Sequence, residues 1–190
     1  MFDFEIHDDF LSPDCIQKVD EHITKIISED ANNFSLSLKW HPGLHGALNV
    51  PRSPVYVHHW SDKDLMQRVH DEVNDWVYEY GHEVSNSIIH IMLQDSTIAW
   101  HTDQSKERSG AVTIYLNRKW RVDFGGDLLY NTDIVRNAGA SKHPDDFEIG
   151  RVTPKYNRAV YLEAGVDHKV TPVYENVLRK SIQLWLRRKD

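Results

Sequence analysis

The chain has 190 residues, of which 40% are hydrophobic and 27% are charged, and these proportions are ordinary for a globular protein. Its formal net charge of −7 argues against a nucleic-acid backbone as the main partner, and its single cysteine excludes an internal disulfide and a cysteine-based zinc site. No stretch approaches the roughly 20 apolar residues of a membrane span, and the acidic N-terminus lacks the apolar run of a signal peptide. We therefore expect one globular domain over residues 1–190, located in the reducing cytoplasm and without a membrane segment.

Two amphipathic helices are predicted in residues 1–85. The first, in SPDCIQKVDEHITKIISED, has Ser12 as its candidate N-cap and Pro13 at the first helical position. The second, in SDKDLMQRVHDEVNDWVYEYG, has Ser61 as its candidate N-cap and ends at Gly81. The segment between them is rich in proline, glycine and aromatic residues, which indicates irregular chain with one or two short strands. We expect residues 1–85 to provide helical support and elements of the substrate side.

After about residue 85 the pattern changes to short runs that are rich in β-branched residues. Such runs are typical of β-strands, and their spacing predicts an all-β barrel or jelly roll over residues 86–190. We expect both helices to pack on the outer face of one of its sheets. The segment Asn131–Phe147 has no clear period and is predicted to be a surface loop. The predicted strands lie in SIIHIMLQ, AVTIYLN, GGDLLY, FEIGRVTP, RAVYLEA, HKVTPVY and RKSIQLWLR.

A His-x-Asp motif, formed by His101 and Asp103, lies just before the run AVTIYLN. Because residues i and i+2 of a strand point to the same side, these two side chains can converge on one metal ion. The motif occurs at two other places, and the ordinary alternative for each copy is a solvated loop. We expect only the copy at His101 to have a strand that fixes its geometry. The other copies are His7/Asp9 and His143/Asp145.

A second group of candidate residues lies near the end of the chain. His168 begins a strand-like run, and Arg179, Ser181 and Gln183 share one face of the last predicted strand, opposite a row of aliphatic residues. A guanidinium inside a barrel is costly unless an anion meets it, and arginine is well suited to hold a carboxylate with two hydrogen bonds. The alternatives are a salt bridge to a core carboxylate and an edge strand whose polar side faces solvent.

Together, His101, Asp103 and His168 provide two imidazoles and one carboxylate, a set that we call the triad. Such a facial triad suits non-haem Fe(II) and leaves three positions open on an octahedral metal. An arginine that binds carboxylates, Arg179, follows the second histidine. This combination is what a 2-oxoglutarate co-substrate requires, because its keto-acid end chelates iron while its far carboxylate meets the arginine.

Residues 86–187 resemble the 2-oxoglutarate/Fe(II)-dependent dioxygenases of the prolyl-hydroxylase type. The resemblance implies a mainly β fold with flanking helices (α+β), a double-stranded β-helix of the jelly-roll or cupin-like kind. It also implies an enzyme that uses Fe(II), 2-oxoglutarate and O2, with ascorbate as a candidate reductant. The motifs that carry it are, in order, HTD at 101–103, YLNRKW at 115–120, GGDLLY at 125–130, TPKYNR at 153–158, His168, and RKSIQLW at 179–185.

The resemblance also implies roles for individual residues. The triad would bind the iron and form the catalytic centre, and Arg179 and Tyr115 would bind the distal carboxylate of 2-oxoglutarate. Ser181 is assigned to the same co-substrate site because it shares the face of Arg179. Trp185 matches an aromatic position near the last histidine, and core packing is the alternative for it.

The sequence departs from the family pattern on the co-substrate side. The family usually has a tyrosine about nine residues before the first histidine and a glycine shortly after that tyrosine. This chain has Met92 and Asp95 at these places. One contact to the co-substrate is therefore missing or comes from another residue.

The substrate is less defined by the sequence than the cofactors are. Arg52 is a candidate clamp for a substrate carboxylate and Trp120 a candidate wall of the pocket, with a solvated loop arginine and core packing as the alternatives. Three functions stay open: a hydroxylase of an amino acid or a peptidyl, proline-like residue; an oxygenase that hydroxylates, desaturates or cyclises a small metabolite; and a cupin-like metal-binding protein without turnover. The expected partner is a small-molecule or peptidyl substrate.

Overall fold

The computed structural model describes residues 4–29, 55–132 and 149–189. Within these ranges the chain forms two α-helices and ten β-strands. None of the helices in this part of the chain is long and apolar enough to cross a membrane. The elements are β1 (Phe4–His7), α1 (Pro13–Glu29), β2 (Val55–His58), α2 (Lys63–Val77), β3 (His82–Met92), β4 (Ile98–His101), β5 (Gly110–Tyr115), β6 (Leu128–Asn131), β7 (Ile149–Val152), β8 (Ala159–Glu163), β9 (His168–Val170) and β10 (Arg179–Arg188).

The strands form two sheets that face each other. The larger sheet has the order β1-β8-β5-β10-β3-β2, and the smaller sheet has the order β4-β9-β6-β7. All paired strands are antiparallel. From β3 to β10 the chain passes back and forth between the sheets, except at the β6–β7 pair, and it thereby winds around a barrel. This architecture is the predicted double-stranded β-helix.

The two helices pack on the outer face of the larger sheet, as the sequence predicts. Their apolar stripes meet the aliphatic residues that point outward from β3, β5 and β10, and all of these side chains belong to one buried cluster. In β10 the alternation is regular, because one side of the strand contributes only aliphatic side chains to this cluster. The members from the helices are Cys15, Ile16, Val19, Ile23, Leu65, Val69, Val73 and Val77, and those from the three strands are Ile89, Ile91, Val112, Ile114, Ile182, Leu184 and Leu186.

The helix ends differ in one detail from the prediction. Asp62, not Ser61, is the N-cap of α2, because its carboxylate accepts a hydrogen bond of 2.9 Å from the backbone N–H of Leu65. The C-terminal end is as predicted, since Gly81 follows a short 3-10 turn and adopts a φ of 75°. The Ser12 hydroxyl, which precedes α1, donates to the Glu72 carboxylate at 2.7 Å and so links the two helices.

The N-terminal strand β1 was not predicted. It extends the larger sheet by pairing with β8, with Phe4 opposite Leu162 and His7 opposite Ala159. The expectation that the His7/Asp9 motif lacks a strand was therefore wrong. His7 nevertheless faces away from the triad, since its ring nitrogen is 2.9 Å from the Glu5 carboxylate and its ring packs against Trp76. The predicted loop Asn131–Phe147 and the motif at His143 lie largely or wholly outside the described residues.

Candidate active site

The structure brings the three triad residues together at one end of the barrel. His101 ends β4 and His168 begins β9, and the two residues are direct partners in the smaller sheet. Asp103 is buried, and its Oδ2 lies 3.7 Å from Nε2 of His168. One donor atom from each residue lies within 4.8 Å of the other two. The two strands therefore position the imidazoles, and the residues just after β4 supply the carboxylate.

Both histidines are oriented by the backbone carbonyl of the residue two positions earlier in the chain. Nδ1 of His101 lies 2.8 Å from the carbonyl oxygen of Ala99, and Nδ1 of His168 lies 2.9 Å from that of Val166. A carbonyl oxygen only accepts hydrogen bonds, so each Nδ1 carries the proton and donates it. Nε2 is then the unprotonated nitrogen of each ring, the atom with which a histidine held in this way usually binds a metal. Burial, and then the neighbouring His168, lower the pKa of His101 and favour the neutral imidazole that a metal needs.

Arg179 lies deeper in the barrel than the triad. Its side chain is buried, Nε donates to the carbonyl oxygen of Gly126 at 2.8 Å, and Nη1 lies 3.5 Å from Oγ of Ser181. None of the ion pairs formed among the described residues includes this guanidinium. Burial lowers the pKa of Arg179, because a charged group in this position lacks the solvation of water.

Tyr115 lies next to this guanidinium, whose carbon is 5.0 Å from the centre of the Tyr115 ring. Its side chain is fully buried, and its hydroxyl has no hydrogen-bond partner among the described residues. Burial raises the pKa of Tyr115, so the phenol keeps its proton and can donate it. A buried hydroxyl without a hydrogen-bond partner is costly, and so is a buried cation without an anionic partner; both descriptions apply within the described residues. A ligand carboxylate would satisfy both groups, and the distal carboxylate of 2-oxoglutarate fits this requirement.

The Gly125–Gly126 turn makes room for Arg179. A Cβ on Gly126 would lie 2.7 Å from Cδ of Arg179, and the residue has a φ of +67°, which glycine adopts without strain. Trp120 supports the turn, because its Nε1 donates to the Gly125 carbonyl oxygen at 3.0 Å. It packs in a cluster with Val173 and is not among the residues that line the cavity around the triad. Substrate binding by Trp120 stays a prediction, as does that by Arg52, which lies outside the described residues.

Arg108, which the sequence did not assign to the site, lies beside Asp103 and Trp185 at the edge of the cavity. Nη1 of Arg108 lies 3.9 Å from Oδ1 of Asp103, and its guanidinium lies over the Trp185 ring, 4.6 Å from the ring centre. Trp185 lines both the cavity of the triad and a groove on the surface outside it. Arg108 follows β4 in an irregular segment, where no periodic pattern indicates the direction of its side chain.

Comparisons with known proteins identify the family of this chain. Residues 87–187 match the model of the 2OG-Fe(II) oxygenase superfamily. The chain belongs to this superfamily and is a 2-oxoglutarate-dependent dioxygenase, which uses Fe(II), 2-oxoglutarate and O2. No curated protein sequence matches the chain.

Solved structures with the same fold include two prolyl hydroxylases. One, from Trichoplax adhaerens in complex with a peptide of the hypoxia inducible factor oxygen degradation domain, has a TM-score of 0.69 and 16% identity, with 98% of this chain and 84% of that chain covered. The Pseudomonas putida prolyl-4-hydroxylase has a TM-score of 0.64 and 17% identity, and the match covers 99% of this chain and 94% of that chain. HygX from Streptomyces hygroscopicus, with nickel and 2-oxoglutarate bound, has a TM-score of 0.65 and 10% identity. The match covers 98% of this chain and 82% of that chain. At these identities the likeness shows the fold.

Proposed function

We propose that this enzyme hydroxylates an unactivated C–H group of an amino acid, a peptidyl residue or a small metabolite, and that the triad is its metal site. The overall reaction consumes the substrate, O2 and 2-oxoglutarate and yields the hydroxylated product, succinate and CO2. The observation that carries the proposal is the pair of histidines whose Nδ1 protons are both engaged by backbone carbonyls, beside a buried carboxylate. These three residues would hold a metal ion and would leave coordination positions for the co-substrate and O2.

The residues of the chain have separate tasks in this proposal. His101, Asp103 and His168 hold the metal, while Arg179, Tyr115 and Ser181 bind the distal carboxylate of 2-oxoglutarate. When bound, ferrous iron with O2 and the co-substrate supplies the oxidising power for C–H hydroxylation. Apolar side chains between the sheets keep water away from Arg179 and Tyr115. The hydrogen bonds that these two residues donate are therefore stronger than they would be in water.

The substrate is proposed to approach through the groove outside Trp185. This groove has a volume of about 970 Å³, which lies at the upper end of the range for small-molecule sites and is also sufficient for a short peptide segment. Four cationic and two acidic side chains line it. Arg187 and Arg188 are paired with Glu83 and Glu163, so Lys106 and Arg108 are the cations that would favour a substrate with an acidic group. A peptidyl substrate is supported by one structural neighbour, which is a prolyl hydroxylase in complex with a peptide. The cationic side chains are Lys106, Arg108, Arg187 and Arg188.

The proposal is tested by measuring succinate release from 2-oxoglutarate with Fe(II) and O2, alone and with panels of amino acids, acidic peptides and small metabolites. The wild-type chain is expected to release succinate slowly on its own and faster with a member of the panel. His101→Ala and His168→Ala are each expected to lower metal affinity by more than about 100-fold and to abolish succinate release.

The matched control is His59→Ala, which changes an exposed histidine outside the site. Wild-type metal affinity and succinate release in both triad variants would contradict the assignment of the site. Metal binding by the wild type without any succinate release would instead indicate a cupin-like binding protein.

A further inference from the structure

A row of three polar side chains crosses the inner face of the larger sheet opposite the triad. They are His90 of β3, Thr113 of β5 and Gln183 of β10, and we call them the polar row. All three line the same cavity as the triad. Gln183 is the direct cross-strand partner of Thr113, and His90 is the partner of Ser181, one inward-facing position away. The row therefore runs obliquely across three neighbouring strands, with His90 one inward-facing position nearer to Arg179 than Gln183 is.

The side chains of the polar row are more exposed than the other inward-facing side chains around them. His90, Thr113 and Gln183 are partly exposed, whereas the inward-facing neighbours two residues before and after each of them are buried. An exposed fraction that rises on three adjacent strands indicates free space beside the row, in the cavity that it shares with the triad. A ligand bound at the metal site would occupy this space. The buried neighbours are Ile88, Met92, Ala111, Tyr115, Ser181 and Trp185.

The amide of Gln183 has a defined orientation. The Thr113 hydroxyl donates to its Oε1 at 2.7 Å. Because this hydrogen bond holds Oε1 toward Thr113, Nε2 points away from Thr113 within the amide plane and offers two N–H donors. Such a prearranged donor suits an oxygen acceptor, and a carboxylate oxygen makes the strongest hydrogen bond with it.

The position of Gln183 relative to Arg179 indicates which acceptor it meets. Arg179, Ser181 and Gln183 follow one another on the inner side of β10, and four residues of a strand span about 13 Å. A dicarboxylate whose far end is held by Arg179 and Tyr115 extends along this line toward the triad. Its near end then comes close to Gln183.

The residue that usually contacts the co-substrate in this family is replaced in this chain by Met92. Its thioether is buried and lies 3.4 Å from Nη1 of Arg179, where it offers no hydroxyl. We propose that Gln183, held by Thr113, supplies a different contact: its Nε2 donates a hydrogen bond to the metal-side carboxylate of 2-oxoglutarate. This inference rests on the proposed function, because it requires the co-substrate to bind between Arg179 and the triad.

Binding of 2-oxoglutarate without turnover tests this inference. Calorimetry on the full chain, loaded with Mn(II) in the absence of O2, gives the dissociation constants of the metal and of 2-oxoglutarate separately. Gln183→Met keeps the length of the side chain but removes its donors, and it is expected to weaken 2-oxoglutarate binding about tenfold or more. Gln183→Glu keeps the acceptor for Thr113 and adds a negative charge, so its effect is expected to be larger. Metal affinity should stay within about twofold of the wild type in Gln183→Met.

The positioning role of Thr113 has its own pair of variants. Thr113→Val removes the hydroxyl at nearly constant volume and is expected to weaken 2-oxoglutarate binding about threefold, because the amide of Gln183 is then free to rotate. Thr113→Ser restores the hydroxyl and should restore the affinity. Gln67→Met, an exposed change on α2, is the control for the glutamine substitution.

The possible results separate this inference from the proposed function. If the wild type does not bind 2-oxoglutarate in a metal-dependent manner, the proposed function itself is wrong. If the wild type does, and Gln183→Met binds 2-oxoglutarate within about twofold of it, only the role of Gln183 is wrong. Unchanged 2-oxoglutarate affinity combined with lost stimulation by a substrate would also overturn it and assign the polar row to the substrate. An equal loss of metal affinity in Gln183→Met would mean that the variant disturbs the whole site.

Discussion

The two faces of the larger sheet differ sharply in composition, although they are made by the same strands. On the outer face, Ile182 and Leu184 of β10 are buried with the helices in an apolar cluster. On the inner face, the alternate residues Arg179, Ser181 and Gln183 line the cavity of the triad. One strand therefore contributes to stability with one side and is proposed to contribute to ligand binding with the other. Substitutions on the two faces should therefore be separable by measurement.

The largest effect on the inner face is expected for Arg179→Ala. Removing a buried cation that binds a carboxylate costs about 2–5 kcal/mol, so the dissociation constant of 2-oxoglutarate should rise by about 30-fold or more. Metal affinity should change little, because the guanidinium makes none of the triad contacts that the structure describes. Calorimetry with Mn(II) and then 2-oxoglutarate measures both quantities. A parallel loss of metal affinity would show that the carboxylate site at Arg179 and the triad are not separate sites.

The corresponding change on the outer face is Leu184→Ala. This side chain is fully buried against the helices, and such truncations cost about 2–5 kcal/mol of unfolding free energy. Urea unfolding should show this loss, whereas the folded fraction at low temperature should bind 2-oxoglutarate with wild-type affinity. A much weaker affinity in the folded protein would mean that packing on the outer face controls the shape of the inner one.

A smaller effect is expected for Gly126→Ala, which acts on the inner face through the backbone. The added methyl group would press on Arg179 at a position with positive φ, so we expect 2-oxoglutarate to bind about tenfold more weakly. Gly165→Ala is the matched control, because no heavy atom lies within 4 Å of a Cβ there. Equal affinities in the two variants would contradict the close approach of the Gly125–Gly126 turn to Arg179.

The smallest effect concerns a polar contact on the outer face, where Nε2 of His70 in α2 lies 2.6 Å from the Ser87 hydroxyl of β3. Burial lowers the pKa of His70, although nearby Asp71 acts in the opposite direction. As pH falls through about 6.5, the unfolded chain therefore takes up a proton that the folded chain resists, and the unfolding free energy decreases.

Urea unfolding at pH 7.5 and pH 5.5 measures this decrease, and His70→Gln should make it smaller while keeping a hydrogen bond to Ser87. An identical pH dependence in the two proteins would show that His70 does not contribute. Binding of 2-oxoglutarate should be the same in both, since the contact lies on the far side of the sheet from the cavity.

The larger part of the fold follows from local patterns in the sequence. Period-2 runs predict the strands after residue 85, and the stripes of Val69 and Val73 predict the second helix and its buried face. The strand β1 could not be predicted, because four residues without clear alternation acquire their conformation only from pairing with β8. The cap of α2 was misplaced by one residue because Ser61 and Asp62 are both good N-cap residues, and only the backbone geometry decides between them.

The candidate site was predictable where residue type and order carry the information. The triad and Arg179 follow from their chemistry and from the resemblance to the family. The hydrogen bond from Thr113 to Gln183 depends on the register of β5 and β10, which are far apart in the chain, so no local pattern reveals it. The packing of Trp120 against the Gly125–Gly126 turn is likewise a tertiary contact.

The anchoring of both imidazoles by main-chain carbonyls has a consequence for how this protein can change over time. The anchors belong to positions 99 and 166, but they do not depend on which side chains stand there. Mutation can therefore vary these two positions without releasing the rings, provided that the backbone keeps its path there. The orientation of the imidazoles is set by the main chain, so the side chains that form the walls of the cavity can diverge toward new substrates while the triad keeps its geometry.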